Sequence, residues 1–201
     1  MESNTGPLYG KTPTVPTTWS LIADTFVAPS QLGDMLEAQP AWQMSFAIMA
    51  CWTCLAMVAI GMREAVIPTI VSITIMLLIE AAIATGVLRV CGHRRPFRFV
   101  WAVYVHAALI GSATYYTVIL AIVLLTHAQQ IKPEVLMPNV GMFVQGGLLH
   151  DVLRFVDPVS LWATTVTAIA LGTASRRLGY VTAFGQYCFW TLLFALAFAS
   201  R

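Results

Sequence analysis

The stretch Ile67–Leu88, which reads IPTIVSITIMLLIEAAIATGVL, decides the fold class of this chain. It contains a single charged side chain, Glu80. A helix that crosses a bilayer needs about 20 consecutive apolar residues, and this stretch supplies them. Pro68 suits the first turn of a helix, where a missing N–H costs little. The stretch therefore predicts a transmembrane helix.

Four further apolar stretches flank it: Trp42–Met62, Phe99–Leu125, Pro158–Ala174 and Val181–Ser200. Composition agrees, because 58% of the 201 residues are hydrophobic and 10% are charged, whereas soluble domains carry about 25% charged residues. The net charge of +2 is small, and the arginines form no basic, aromatic-rich face, so we expect no nucleic-acid partner. We predict an all-α, polytopic membrane bundle of about five transmembrane helices in residues 42–201, with Asp157 as the N-cap of the fourth.

Residues 1–41 differ in character from the rest. The first part is polar and rich in proline and threonine, as in an extended tail. After it, Trp19, Ile22 and Phe26 fall on one helical face, and a second apolar face follows Pro29, formed by Leu32, Met35 and Leu36. The pattern predicts a cytoplasmic tail and an amphipathic helix that contacts lipid or a partner. A helix docked on the protein's own bundle explains the pattern equally well.

The basic residues predict the orientation. One side of the predicted bundle carries Lys11, Arg89, Arg94, Arg95, Arg98, Arg176 and Arg177. The other side carries Arg63, Lys132, Arg154 and Arg201. Because short loops rich in lysine and arginine stay in the cytoplasm, we expect the N-terminus inside and the C-terminus outside. In the loop before the third span, Arg94, Arg95 and Arg98 also suit anionic lipid headgroups or an acidic partner.

Glu80 is the clearest anomaly, because an ionised carboxylate inside a membrane faces a partner or water. With a helical rise of about 1.5 Å per residue, four polar residues on four spans fall about 12–14 Å from the basic ends of their helices. They are Glu80, His106, Thr167 and Gln186. We predict a mid-membrane polar layer in which Glu80 bonds to His106. The layer either joins the helices by hydrogen bonds or marks the proton or ion path of a channel or transporter.

His106 admits a second interpretation. An intramembrane histidine can ligate a tetrapyrrole, either haem or chlorophyll, through a ring nitrogen. The other histidines lie in predicted loops or at span ends: His93, His127 and His150. A tetrapyrrole at His106 would make the chain an accessory subunit of a respiratory or photosynthetic membrane complex. A packing histidine without any cofactor is the alternative.

Nothing in the chain has the pattern of an enzyme's active site. Cys51 and Cys54 have C-x-x-C spacing, but they lie inside an apolar span, whereas a redox motif opens a helix after a strand. The outer loop holds side chains that can bind metals, but their spacing fits no metal motif: His127, His150, Asp151 and Asp157. We therefore expect no catalytic residues and no metal site.

The C-terminal part reads Asp157-Pro158, Leu161-Trp162, Ala168, Leu171-Gly172 and Arg176-Arg177. Before it come a Pro-containing amphipathic segment, Val27–Leu36, five predicted spans, and a loop with glycine and basic residues ahead of the third span. This layout resembles the Yip family of membrane proteins, from about Trp19 to the end of the chain. The resemblance implies a five-span scaffold that acts through protein or lipid contacts and has no catalytic residues.

Eukaryotic members of that family bind Rab-type GTPases through a motif in the tail. The run Gly6–Gly10, GPLYG, has similar letters without the matching context. The resemblance therefore favours a bacterial-type member in the inner membrane, whose partners are lipids and other membrane subunits, over a GTPase-binding protein.

Single-cysteine labelling checks the orientation. In a background without the four native cysteines, a cysteine at position 94 should react with an impermeant maleimide only in inside-out vesicles, because its basic loop stays in the cytoplasm. A cysteine at position 63 is the matched control and should react from the outer face. Labelling of position 94 from the outside would reverse the assignment.

Overall fold

The protein is described from a computed structural model, which describes residues 18–126, 139–144, 146–173 and 175–199. These residues form eight α-helices and no strand: α1 (Thr18–Val27), α2 (Pro29–Ala38), α3 (Gln43–Ala59), α4 (Val66–Val90), α5 (Phe97–Thr126), α6 (Gly147–Leu153), α7 (Pro158–Leu171) and α8 (Arg176–Ala199). Two 3-10 turns, Arg63–Ala65 and Val140–Phe143, precede α4 and α6. The predicted all-α fold is confirmed.

Three stretches are long and apolar enough to cross a bilayer: Arg63–Val90, Phe97–Thr126 and Arg176–Ala197. They indicate an integral membrane protein. The other two predicted spans are shorter, since α3 has 17 residues and α7 has 14. At about 1.5 Å per residue these helices measure about 25 and 21 Å, against a hydrocarbon core of about 30 Å. The structure confirms three of the five predicted spans.

The last two predicted spans also have different ends. α7 stops at Leu171, while the predicted limits Ala174 and Ser200 lie outside the described residues. α8 begins at Arg176, five residues before the predicted start at Val181, so Arg176 and Arg177 belong to its first turn. Hydropathy marks where a helix enters lipid, whereas backbone hydrogen bonding continues into the polar flank.

The N-cap predicted for α7 is confirmed. The Asp157 carboxylate accepts hydrogen bonds from the backbone N–H groups of Val159 and Ser160, both at 2.9 Å. Pro158 occupies the first helical turn. Two of the unpaired donors at this helix end are thereby satisfied, which an apolar environment requires.

α5 is the central helix. Near its start, residues 99–107 are all buried, so this part of the helix is covered on every side. α3, α4 and α7 pack along it, and α1 and α2 contact it as well. The Trp42 and Trp101 rings meet edge to face with centroids 5.7 Å apart, and Trp52 Nε1 donates to Thr117 Oγ1 at 2.9 Å. These two contacts show that α3 and α5 run in parallel.

Glycines bring α2 and α8 against the end of α7. A Cβ atom on Gly179 of α8 would overlap the Ala168 carbonyl oxygen and lie 2.8 Å from Gly172 Cα. A Cβ atom on Gly33 of α2 would lie 2.7 Å from the Ala170 carbonyl oxygen. Small residues allow helix backbones to approach closely in membrane bundles. The packing of α2 and of α8 against α7 therefore depends on Gly33 and Gly179.

Gly179→Ala should therefore destabilise the bundle by about 1–3 kcal/mol, the usual cost of forcing a methyl group into a filled space. Gly185→Ala, on the same helix, is the matched control, because nothing lies within 4 Å of its added Cβ. Thermal unfolding in mild detergent measures both variants. Equal melting temperatures would contradict the close α7–α8 contact.

Candidate functional site

A cavity of about 140 Å³ lies between α4, α5, α7 and α8. Each of the four helices contributes polar side chains to it: Glu80, Tyr104, Thr164, Thr167, Gln186 and Tyr187. Its other walls are apolar: Leu77, Ala107, Ala108, Ala163 and Ala183. Three of the four residues of the predicted polar layer, Glu80, Thr167 and Gln186, therefore meet at one site.

Gln186 connects three helices at this site. Its Nε2 donates to the Glu80 backbone carbonyl at 2.9 Å, and its Oε1 accepts from the Tyr104 hydroxyl. One side chain of α8 thus joins α4 and α5 inside the bundle. Sequence reasoning missed Tyr104, because tyrosine in an apolar span has the pattern of a packing residue. The signal that could have found Tyr104 is its position six residues after Arg98, which sets it close in depth to the predicted polar layer.

His106 does not line this cavity. The residue is 1% exposed, and its Nδ1 donates to the Ala102 carbonyl at 2.8 Å. Among the described residues, the predicted bond between Glu80 and His106 is not formed. The physical reason is rotational: His106 follows Tyr104 by two residues, which is about 200° around α5. Tyr104 takes the position facing Glu80, and tetrapyrrole ligation by His106 stays a prediction.

A second polar group joins α2 to the bundle. Arg95 lies in the loop between α4 and α5 and forms an ion pair with Glu37 of α2. It also donates a hydrogen bond at 2.9 Å to Oγ1 of Thr173, which follows the end of α7. Thr173 in turn donates to Glu37 Oε2 at 3.3 Å. The guanidinium carbon lies 5.4 Å from the centre of the Phe99 ring. We call Glu37, Arg95 and Thr173 the α2 clamp.

The other residues predicted to contact lipid or a partner divide into two kinds. Arg94 and Arg98 are exposed, and Arg94 lines an open cleft of about 570 Å³ with Arg89, Arg95 and Pro96. Trp19 is 66% exposed and Phe26 is also exposed, but Ile22 packs against the core. The apolar face of α1 therefore divides between the bundle and the outer surface.

The remaining reactive side chains do not assemble. Cys51 and Cys54 are free thiols on the exposed surface of α3. Among the described residues, no three histidine, cysteine, aspartate or glutamate side chains are grouped to hold a metal ion. His127 lies outside those residues, whereas His150 belongs to α6.

No protein-family model, curated protein or solved structure matches this chain. Membership of the Yip family therefore stays a prediction from the sequence.

Replacing Arg95 tests the α2 clamp. Arg95→Ala should weaken the attachment of α2 to the bundle, since hydrogen bonds to a charged group contribute about 1.5–3 kcal/mol each. Amide hydrogen exchange across residues 29–38 should quicken by about tenfold or more. Arg94→Ala, at an exposed neighbour, should leave it unchanged. Equal exchange in the two variants would show that α2 is held by apolar contacts alone.

Proposed function

We propose that the protein is a non-enzymatic, five-span membrane protein that acts through contacts with lipid and with another membrane protein on its cytoplasmic side. The observation that carries this proposal is the docking of α1 and α2. The α2 clamp holds α2 on the end of the bundle, while α1 leaves Trp19, Phe26 and Val27 exposed.

The docking is extensive enough to make α1 and α2 a fixed platform. Leu21 of α1 and Leu32 and Leu36 of α2 are fully buried in the same core cluster as α5 and α7. The opposite face of α1, which points away from the core, also carries apolar side chains, and Val27 on it is 82% exposed. Apolar side chains held rigidly in the open favour a lipid or protein contact that covers them.

Basic residues lie at the same end of the bundle. They are exposed and come from the end of α4, the loop before α5 and the start of α8: Arg89, Arg94, Arg98, Arg176 and Arg177. Aromatic and basic side chains together suit the headgroup region of an anionic leaflet. The same basic residues support our proposal that this end of the bundle faces the cytoplasm and that the protein lies in a bacterial-type inner membrane.

α3 and α7 complete the proposed set of five spans. The 17 residues of α3 match the lower limit for a crossing helix. α7 packs between α2, α5 and α8, so protein covers much of its surface. A short helix that is enclosed by protein need not span the hydrocarbon core alone.

Two other roles remain candidates. An accessory subunit of a respiratory or photosynthetic complex would use the same exposed platform for assembly. A channel or transporter would instead use the polar cavity around Glu80, which supplies one layer of polar groups near mid-membrane.

Site-specific photo-crosslinking in native membranes tests the platform. A photoreactive amino acid at position 19 or 27 should form adducts with another membrane protein, because these positions face outward on a rigid surface. Position 143 is the matched control, since Phe143 is 88% exposed at the opposite end of the bundle.

Trp19→Ser together with Phe26→Ser should then lower the adduct yield from position 27 several-fold without loss of the folded protein. Deleting residues 1–41 would be a poorer experiment, because it would uncover the core that Leu32 and Leu36 seal. Equal protein adducts from positions 27 and 143, or adducts with lipid alone, would contradict a cytoplasmic protein partner.

A further inference from the structure

The cavity around Glu80 has a property that surface contacts do not explain: its hydroxyl donors are already engaged. The Tyr104 hydroxyl donates to Gln186 Oε1. Three other hydroxyl groups donate to backbone carbonyl oxygens at 2.8, 2.9 and 3.0 Å, those of Thr164, Thr167 and Tyr187. These four hydroxyl hydrogens are therefore not free for the Glu80 carboxyl group, which lines the same cavity. The hydroxyl oxygens can still accept hydrogen bonds, but an acceptor does not stabilise a negative charge.

The cavity also lacks a positive charge. Among the described residues that line it there is no lysine, arginine or histidine, and Glu80 is the one acidic residue. Glu80 is half-buried, and an ionised carboxylate inside a membrane bundle needs an opposite charge or water. A proton on Glu80 removes that charge and turns the carboxyl group into a hydrogen-bond donor.

The space itself suits water. At about 30 Å³ for each molecule in the liquid, a cavity of about 140 Å³ has room for roughly four or five water molecules. A hard metal cation would need about six oxygen ligands arranged around it, whereas a proton needs only one carboxyl oxygen. Water can instead carry a proton to and from the carboxyl group.

We propose that Glu80 is a proton-binding residue, whose carboxyl group takes up a proton from water in this cavity and releases it again. The O–H bond is the only covalent bond that forms or breaks. The other titratable side chains facing the cavity are Tyr104 from α5 and Tyr187 from α8, whereas α7 contributes only alanine and threonine. This proposal does not rest on the proposed interaction function.

Carbodiimide labelling of the intact protein in lipid nanodiscs tests the proposal. Dicyclohexylcarbodiimide is apolar and reacts with protonated carboxylic acids, so peptide mass spectrometry should find the adduct on Glu80. Above the midpoint of the titration, the labelling rate should fall by about tenfold for each pH unit, because the protonated fraction falls by that factor. Glu37 and Glu64, at opposite ends of the bundle, are internal controls and should stay unlabelled.

Glu80→Gln keeps the shape of the side chain and should abolish the adduct, with Glu64→Gln as the matched control. Infrared difference spectra after a change of pH give a second readout, in which the carbonyl band of a protonated acid should appear in the unaltered protein and vanish in Glu80→Gln. Absent or pH-independent labelling of Glu80, or equal labelling of Glu64, would overturn the proposal. Protection by sodium or potassium ions at constant pH would also overturn it, in favour of a metal-cation site.

Discussion

The burial of α5 on every side over residues 99–107 is the constraint on which the rest of the structure depends. A polar side chain in that stretch must find its hydrogen-bond partner within the protein, because no bulk solvent reaches it. Tyr104 therefore bonds to Gln186 of α8, and His106 bonds back to the Ala102 carbonyl. The arrangement of the helices around α5 thus determines which polar groups meet and which are sealed away.

The C-terminal end of α7 is a second point on which the structure depends. There α2 and α8, which are far apart in sequence, both pack against α7. Gly33 of α2 and Gly179 of α8 both approach its backbone closely. Thr173, just beyond the helix, then joins the ion pair of Arg95 and Glu37. The exposed surface of α1 consequently has a fixed relation to the helices that surround the cavity.

The two polar centres of the bundle differ in chemistry. The α2 clamp pairs a guanidinium with a carboxylate, so its charges are balanced within the protein. At the cavity, Glu80 lies among hydroxyl groups that are occupied elsewhere, and among the residues described there it meets no cation. The first centre needs no further charge, whereas we propose that a proton compensates the second.

The sequence alone was enough to predict the all-α class, the long apolar helices, the N-cap at Asp157 and the similar depth of Glu80, Thr167 and Gln186. These properties depend on hydropathy and on distance along a helix, and both follow from the order of residues in the chain. Tertiary structure decided that Tyr104 and not His106 faces the cavity, that Arg95 is used internally while Arg94 is exposed, and that α7 is short. Each of these depends on rotation about a helix axis and on which neighbour fills the adjoining space, and both are set only when all the helices pack together.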